Sequence, residues 1–539
     1  MSLRTWHSAW AQNWANERPR QYVMTMVVFW NFCACANTAF ALGWNVWVDQ
    51  LFEVFYGDVE YTMARGGVVY ALSLIIFMIC IGNLMIALLG ALDPEKTFNI
   101  CGWKFQGGQV LKMYIWGLLI STLSGIMLGV AVQYKQMWLM YVGSVGLGIG
   151  MAMQQPVFRF AANLAYYQVG QKGIGTGWLN ACPGIWATTF SYWGPALSNS
   201  LSIQTAIHIA NGISLAILLV PIPFTNVKIP NRSIYHQRSS QRLAAIMREM
   251  TDEERENRVE PFPLPAMVIL KSKEMIIMWF AFLFMMTPGF GIKYLISPML
   301  DKVYGASDSV QDTASFIFLL LYSISRFLGG ALDYLFDAMV MMRIINACAV
   351  PVMILQGWLA TQYDSDAALY GFIACQCVAG VVLGASKVLI CILCFDVYAP
   401  VNFTNSCGEL LSVFGVAAYV GPVLGWWSLS GHGMPGDPNY QVGLSDSVAI
   451  FCYASAGSLA LSCTLMFFVK PLDFSKYLQY RKDVPVETEE DIEDAGEETV
   501  MVLAVRESVA HQRFSTAMHP KHQFSKKSAF SRSSSVFLA

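Results

Sequence analysis

The most regular feature of the chain is an alternation of long apolar stretches with polar breaks. An apolar run of about 20 residues, wound as a helix, is long enough to cross the ~30 Å hydrocarbon core of a bilayer. Twelve such runs occur. They lie at approximately 21–48, 66–92, 109–132, 136–167, 173–197 and 203–223, then at 274–299, 312–332, 344–362, 368–396, 407–429 and 447–469. The pattern predicts an all-α polytopic membrane protein with twelve transmembrane helices, because a helix satisfies its backbone polar groups internally where lipid offers no partner.

Polar segments set the organisation. Residues 1–20 form a polar N-terminal segment, and 21–223 hold the first six runs. Residues 224–273 contain N-R-S-I-Y-H-Q-R-S-S-Q-R and M-T-D-E-E-R-E-N-R, which cannot sit in lipid. This segment is expected to be a linker between two six-helix halves, with a short amphipathic surface helix over 242–258. The second half is 274–469. The remainder, 470–539, carries the acidic run V-E-T-E-E-D-I-E-D-A-G-E-E and a Ser-rich end, and is expected to be a disordered tail open to phosphorylation.

Composition agrees with the pattern. Hydrophobic residues make up 55% of the 539 and charged residues 13%, where soluble domains carry about 25% charged residues. A soluble protein is excluded. With both termini inside, the inner segments collect about 27 of the 34 Lys and Arg, and the outer ones only Arg65, Lys135 and Lys302. The bias places both termini in the cytoplasm, with the plasma membrane as the expected location. The sequons at Asn231 and Asn402 then face the cytoplasm and stay unused. The first twenty residues are too polar for a cleavable signal peptide. Most Cys lie inside apolar runs, where they act as small apolar residues. C-I-L-C at Cys391 to Cys394 has no second pair and no nearby His, so it reads as packing rather than a zinc or redox site.

Two short repeats relate the halves. G-A-L-D occurs at Gly90 to Asp93 and at Gly330 to Asp333, 240 positions apart, each closing an even-numbered span at its inner end. G-P-A-L at Gly194 and G-P-V-L at Gly421 stand in spans five and eleven. Two parallel six-helix repeats joined by a cytoplasmic loop are the plan of a major facilitator transporter, whose halves rock about a midplane site. Gly90, Asp93, Gly330 and Asp333 are expected at the cytoplasmic hinge of each half. Gly194 with Pro195, and Gly421 with Pro422, are expected to bend their helices and to serve gating, because proline removes a helical N–H and crowds the preceding turn.

Four basic residues fall well inside the spans: Arg159, Lys293, Arg326 and Lys387. A charge at a helix centre costs on the order of 2.5–3.5 kcal/mol by insertion scales, so such residues face a cavity or a partner. Arg326 lies seven residues before Asp333, roughly 10 Å inside the inner edge. Its guanidinium suits a carboxylate, held by two parallel hydrogen bonds, and Tyr322 shares its face one turn earlier. Arg159 has Gln155 and Asn163 four residues to either side, so one face of span four carries three polar groups. Lys387 stands about nine residues from the inner end of span ten. Lys293 lies toward the outer end of span seven, where it is expected to snorkel to the interface. Deep acids are scarce: Asp396 and Glu409 lie near inner ends, Asp49 and Glu53 near the outer end of span one. A positively lined cavity selects anions.

Taken together, residues 20–470 resemble the oxalate/formate antiporter and monocarboxylate transporter branch of the major facilitator superfamily. The resemblance rests on G-L-G-I-G-M-A-M-Q-Q-P, G-Q-K-G-I-G-T-G, S-P-M-L, S-R-F-L-G-G-A-L-D and C-G-E-L-L-S-V-F-G-V-A-A-Y-V-G-P-V-L-G. It implies a transporter, an antiporter among the options, working by alternating access, with Arg326 on the substrate carboxylate. Oxalate-type members carry a Lys in span eleven for a second carboxylate. Here Phe414 stands near that place, so a second charge would have to come from Lys387 or Arg159. Proton-coupled members often have an acid one turn before the Arg, and here Tyr322 occupies that position.

The expected function is therefore alternating-access transport of a small organic anion, a monocarboxylate first. The expected binding set is Arg326, Tyr322, Arg159, Gln155 and Lys387. A counter-anion or a proton is the coupling partner, the lipid bilayer is the setting, and the working unit is a monomer. No cofactor, metal, nucleic acid or catalysis is expected, since no H-E-x-x-H, Walker A or G-x-S-x-G motif occurs. Two alternatives stay open. One is an amino-acid transporter, whose amine would meet Asn31, Asn37, Trp44 and Trp47. The other is a nutrient-sensing receptor on a carrier fold, suggested by the acidic tail.

Overall fold

The computed structural model describes residues 29, 31–37, 47–57, 66–89, 97–100, 103–106, 110–168, 172–222, 261–333, 336–430 and 440–480, with the side chains of 49, 97–100, 103–106, 110, 155–168, 172, 174, 400, 440 and 441 outside that description. The hinge pair Gly90 and Asp93, the expected surface helix over 242–258 and the tail beyond residue 480 fall outside the described residues.

The first predicted span is represented by α1 (Asn31–Ala34) and α2 (Val48–Tyr56). There follow α3 (Gly66–Leu89), a hairpin of β1 (Thr97–Ile100) and β2 (Trp103–Gln106), α4 (Val110–Gln133), α5 (Met137–Gln168), α6 (Lys172–Ser200) and α7 (Ile203–Leu219). Beyond the polar interruption come α8 (Ala266–Leu270), α9 (Lys273–Tyr304), α10 (Asp308–Leu332), α11 (Ala338–Ala360), α12 (Asp366–Tyr398), α13 (Phe403–Leu429) and α14 (Tyr440–Leu465). Nine described helices are long and apolar enough to cross a membrane: α3, α4, α5 and α9 to α14. The more polar α6 and the 17-residue α7 take the places of spans five and six. The antiparallel hairpin, with Thr97 opposite Gln106, is the exception to helix among the regular elements described. Its alternating Thr-Phe-Asn-Ile suits a strand.

Helix ends follow their caps. Ser272 Oγ accepts the Met275 N–H at the start of α9, and Asp337 accepts those of Met339 and Val340 at the start of α11. Gly305, at φ 62°, closes α9 with its N–H on Asp301 and Leu300. The span predicted as 274–299 thus continues five residues further, to Tyr304. Hydropathy falls at Asp301 and Lys302, but the helix stops only at the glycine that supports a left-handed cap. A glycine likewise stops α2, at Gly57, φ 63°.

Two helix seams join the expected halves. Along α3 and α13, a Cβ on Gly415 would meet the Phe77 carbonyl at 3.0 Å, and one on Gly408 the Asn83 carbonyl at 3.1 Å. Tyr419 packs on Phe77 and Tyr70, and Trp426 on Phe52. Along α6 and α10, a Cβ on Gly177 would lie 2.9 Å from the Phe327 carbonyl and 3.1 Å from Gly330 Cα. Small residues let backbones approach where lipid removes the hydrophobic drive between helices. Of the expected hinge residues, Gly330 and Asp333 stand on this second seam, against Gly173.

The Gly-Pro pairs have local partners. Trp47 is fully buried, donates its indole N–H to the Gly194 carbonyl at 3.1 Å and meets Phe190 edge-on. Gly421 lets α13 approach α9, where a Cβ would sit 2.8 Å from Gly291 N. Replacing Trp47 by Phe is expected to cost about 1 kcal/mol, read as a lowered thermal midpoint of the detergent-purified protein. An unchanged midpoint would show that the bond adds nothing. Asn402 is buried, with its amide on Phe262 and Leu264, so that sequon is closed by packing as well.

Candidate functional site

Proline chemistry in α6 prepares the partner of Arg326. Pro183 has no N–H for the carbonyl of Leu179, four residues earlier. Asn31 supplies a donor to that carbonyl, at 3.4 Å. In the same loosened turn, the Asn180 carbonyl accepts a hydrogen bond from Arg326 Nη1 at 2.8 Å. Arg326 therefore reaches from α10 across the seam to α6. It is 0% exposed, and its guanidinium lies 3.8 Å over the Tyr322 ring. The helical spacing of four residues that put Tyr322 on its face is what allows this stacking. The Tyr322 hydroxyl is buried and makes no hydrogen bond among the described residues.

Lys387 enters from α12. It is buried, with Nζ 4.0 Å over the Phe414 ring of α13. Phe414 meets Phe290 of α9 edge-on at 4.7 Å, and Phe290 stacks on Tyr294. The residue that stands near a family lysine position thus serves as the aromatic support of another lysine.

The expectation that Lys293 snorkels to the interface is overturned. Lys293 is 0% exposed. Because α9 runs to Tyr304, eleven residues follow Lys293, roughly 16 Å of helix, too far for the side chain to reach the outer water. Its Nζ lies 4.5 Å over Tyr294 and 6.0 Å from the Phe290 centroid, with no hydrogen-bond acceptor among the described residues. Lys293 also precedes a break: Leu295 leaves the helical region at φ −120°, ψ 15°, three residues before Pro298. Broken helices of this kind occur in membranes where backbone lines a cavity or is buried in protein.

The structure therefore pairs Arg326 with Tyr322, and it groups Lys387 with Lys293 through Phe414, Phe290 and Tyr294, residues the sequence did not single out for binding. The signal for Lys293 was Pro298, five residues on. Gln155 and Arg159 lie on α5, and their side chains fall outside the described residues. One acid near a helix end is buried as well. Glu409 is 0% exposed, and its carboxylate oxygens accept no hydrogen bond among the described residues. It was placed near an inner helix end, but packing of α13 against α3 and α9 buries it.

No family model matches the sequence, and a search among curated proteins finds no significant relative. Solved structures do match. The chain is similar to FucP, the E. coli fucose:proton symporter, in the outward conformation, at 12% identity and TM-score 0.50 over 83% of this chain and 100% of that one. It is similar to the human organic anion transporter MFSD10 at 15% identity and TM-score 0.50, over 83% and 100%. It is similar to a mutant of the nucleoside transporter NupG at 14% identity and TM-score 0.53, over 82% and 99%. At these identities the likeness speaks to architecture. With nine described helices apolar enough to cross a bilayer, the chain is an integral membrane protein with the all-α fold of the major facilitator transporters.

Proposed function

We propose that the protein is a secondary carrier of a small organic anion, a carboxylate, working by alternating access. The observation that carries this reading is Arg326, a fully buried guanidinium stacked on Tyr322 at the seam between the expected halves. Guanidinium presents five donors in a planar fork matched to a carboxylate. Lys387, raised on Phe414, adds a second positive charge. Gln155 and Arg159 complete the proposed binding set from α5. In this reading Gly90, Asp93, Gly330 and Asp333 work the inner hinge, both termini are cytoplasmic, the plasma membrane is the location and a monomer is the working unit. The structures that share the fold are transporters of fucose, nucleosides and organic anions, so the fold favours a carrier over an enzyme and leaves the solute to the site.

The amino-acid alternative loses support from the described geometry. Asn37 is tied to Ser121 and Gln154, Asn31 to the Leu179 carbonyl and Trp47 to Gly194. These groups hold helices together, which leaves them poorly placed to receive an amine. Trp44 lies outside the described residues.

The test is uptake of labelled pyruvate, lactate, formate, oxalate, neutral amino acids and hexoses into proteoliposomes, with and without a pH gradient. Saturable carboxylate uptake is expected. Uptake confined to hexoses or neutral amino acids would end the proposal. In the same assay Lys387→Met is expected to raise the half-saturation concentration about tenfold, equivalent to roughly 1.4 kcal/mol. An unaltered value would remove Lys387 from the site.

A further inference from the structure

We infer that Cys391, Cys407 and the side chain of Asn180 form a binding site for a trivalent arsenical or a like centre that bridges two thiols, and that filling it blocks the carrier. The block rests on the carrier reading above; the site itself does not. The structure sets Cys391 of α12 against Cys407 of α13, with the two sulfurs 3.7 Å apart and both residues buried. Asn180 reaches the same sulfur from α6, its amide nitrogen 4.0 Å from Cys391 Sγ. Asn180 is 1% exposed, and its amide oxygen accepts no hydrogen bond among the described residues. Two thiols and one unpartnered oxygen, from three helices, thus meet at one place. In the sequence Cys391 reads with Cys394, as C-I-L-C; the fold brings it a sulfur from another helix.

The spacing of the sulfurs selects the ligand. A disulfide would need them to close to about 2.05 Å. A linear two-thiolate ion with bonds of about 2.3 Å would need them about 4.6 Å apart. The same bonds span 3.7 Å at roughly 107°, the angle of a pyramidal centre. Trivalent arsenic is pyramidal, and it is a soft centre suited to soft sulfur. Among the described residues no cluster of three or more His, Cys, Asp or Glu could hold a metal ion, which leaves the pair without the four donors of a zinc site. An arylarsenoxide reacts here with no change of oxidation state. Arsenic forms two As–S bonds and gives up its oxygen, and the two thiol protons leave with that oxygen as water.

Buried thiols are inert, so a reagent needs the site uncovered. Asn180 belongs to the first expected half and Cys391 to the second, so the parting of the halves uncovers Cys391. Asn180 also gives its backbone carbonyl to Arg326 at 2.8 Å, and Cys391 donates to the Lys387 carbonyl at 3.6 Å. An aryl group carried on Cys391 fills the place to which α6 returns. The helices then cannot close, and Arg326 cannot regain Asn180.

The experiment treats the full chain in proteoliposomes with phenylarsine oxide. Arsenic bound per chain is counted after excess reagent is removed, and carboxylate uptake is followed in parallel. Cys391→Ala and Cys407→Ala are each expected to bind about one arsenic fewer than wild type, because each arsenic takes two thiols. Cys394→Ala is expected to bind as wild type does. The concentration that halves uptake is expected to rise about tenfold in the first two variants, and a dithiol, dimercaptopropanol, to restore uptake in treated wild type. Cys391→Ser and Cys407→Ser replace any alanine variant that fails to reconstitute. Equal arsenic in wild type, Cys391→Ala and Cys407→Ala overturns the inference. So does a loss in Cys394→Ala in place of Cys407→Ala, which assigns the arsenical to C-I-L-C. Arsenic at the pair with uptake undiminished overturns the block and leaves the carrier reading standing. Absence of uptake of every anion by the untreated wild type removes the carrier reading and the block with it, while the arsenic count still decides the site.

Discussion

Replacing Arg326 by glutamine is expected to lower saturable anion uptake by about a hundredfold, equivalent to roughly 2.8 kcal/mol. Glutamine keeps the polar stem but ends two bonds short of Nη1, so the 2.8 Å tie to the Asn180 carbonyl is weakened along with the charge. What is lost is the planar cation above Tyr322. Lysine at the same place keeps a charge without the fork and should fall between the two. The check is the initial uptake rate in proteoliposomes at equal reconstituted protein. A rate within twofold of wild type would reduce Arg326 to a helix tie.

The second large effect is expected at the seam between α6 and α10. A Cβ on Gly330 would lie 2.7 Å from the Gly177 backbone nitrogen, and Gly173 presents its carbonyl closer still. Both obstacles are backbone, which cannot rotate away as a side chain can. Gly330→Leu must therefore part α6 from α10, and overpacking of this sort costs typically about 1–3 kcal/mol. The expected result is a lowered thermal midpoint and a loss of transport of about tenfold, together with faster thiol labelling of Cys182 on α6 as the seam opens. Gly212→Ala serves as the comparison, because a Cβ there meets nothing within 4 Å. That variant should stay within about 0.5 kcal/mol of wild type. If the two behave alike, close approach at Gly330 has no mechanical role.

Much of the architecture was legible because lipid allows few solutions. Runs of apolar residues marked eleven of the helices, and a charge standing about two turns inside the G-A-L-D end of its span pointed to the buried guanidinium of Arg326. Helix ends were less legible. Hydropathy measures where lipid stops, whereas Gly305 and Gly57 decide where winding stops, and the five additional residues of α9 are what turned Lys293 from a snorkelling residue into a buried one. The hairpin at Thr97–Gln106 was missed because two four-residue strands leave little signal between spans. The aromatic supports were also hidden. Phe290, Tyr294 and Phe414 are three among many rings in an aromatic-rich chain, and only tertiary packing selects the ones beneath cations. Glu409 read as an edge acid because its distance from the helix end says nothing of which neighbours cover it.

The central claim, an organic anion held at Arg326, is tested most directly by ligand-dependent thermal stabilisation of the purified full chain. A solute that binds the folded state raises the thermal midpoint in proportion to the logarithm of its concentration above Kd. Carboxylates are predicted to raise the midpoint of the wild-type protein and to leave that of Arg326→Gln unmoved, while hexoses and nucleosides move neither. Stabilisation by a neutral hexose or nucleoside alone, or carboxylate stabilisation undiminished in Arg326→Gln, would contradict the account.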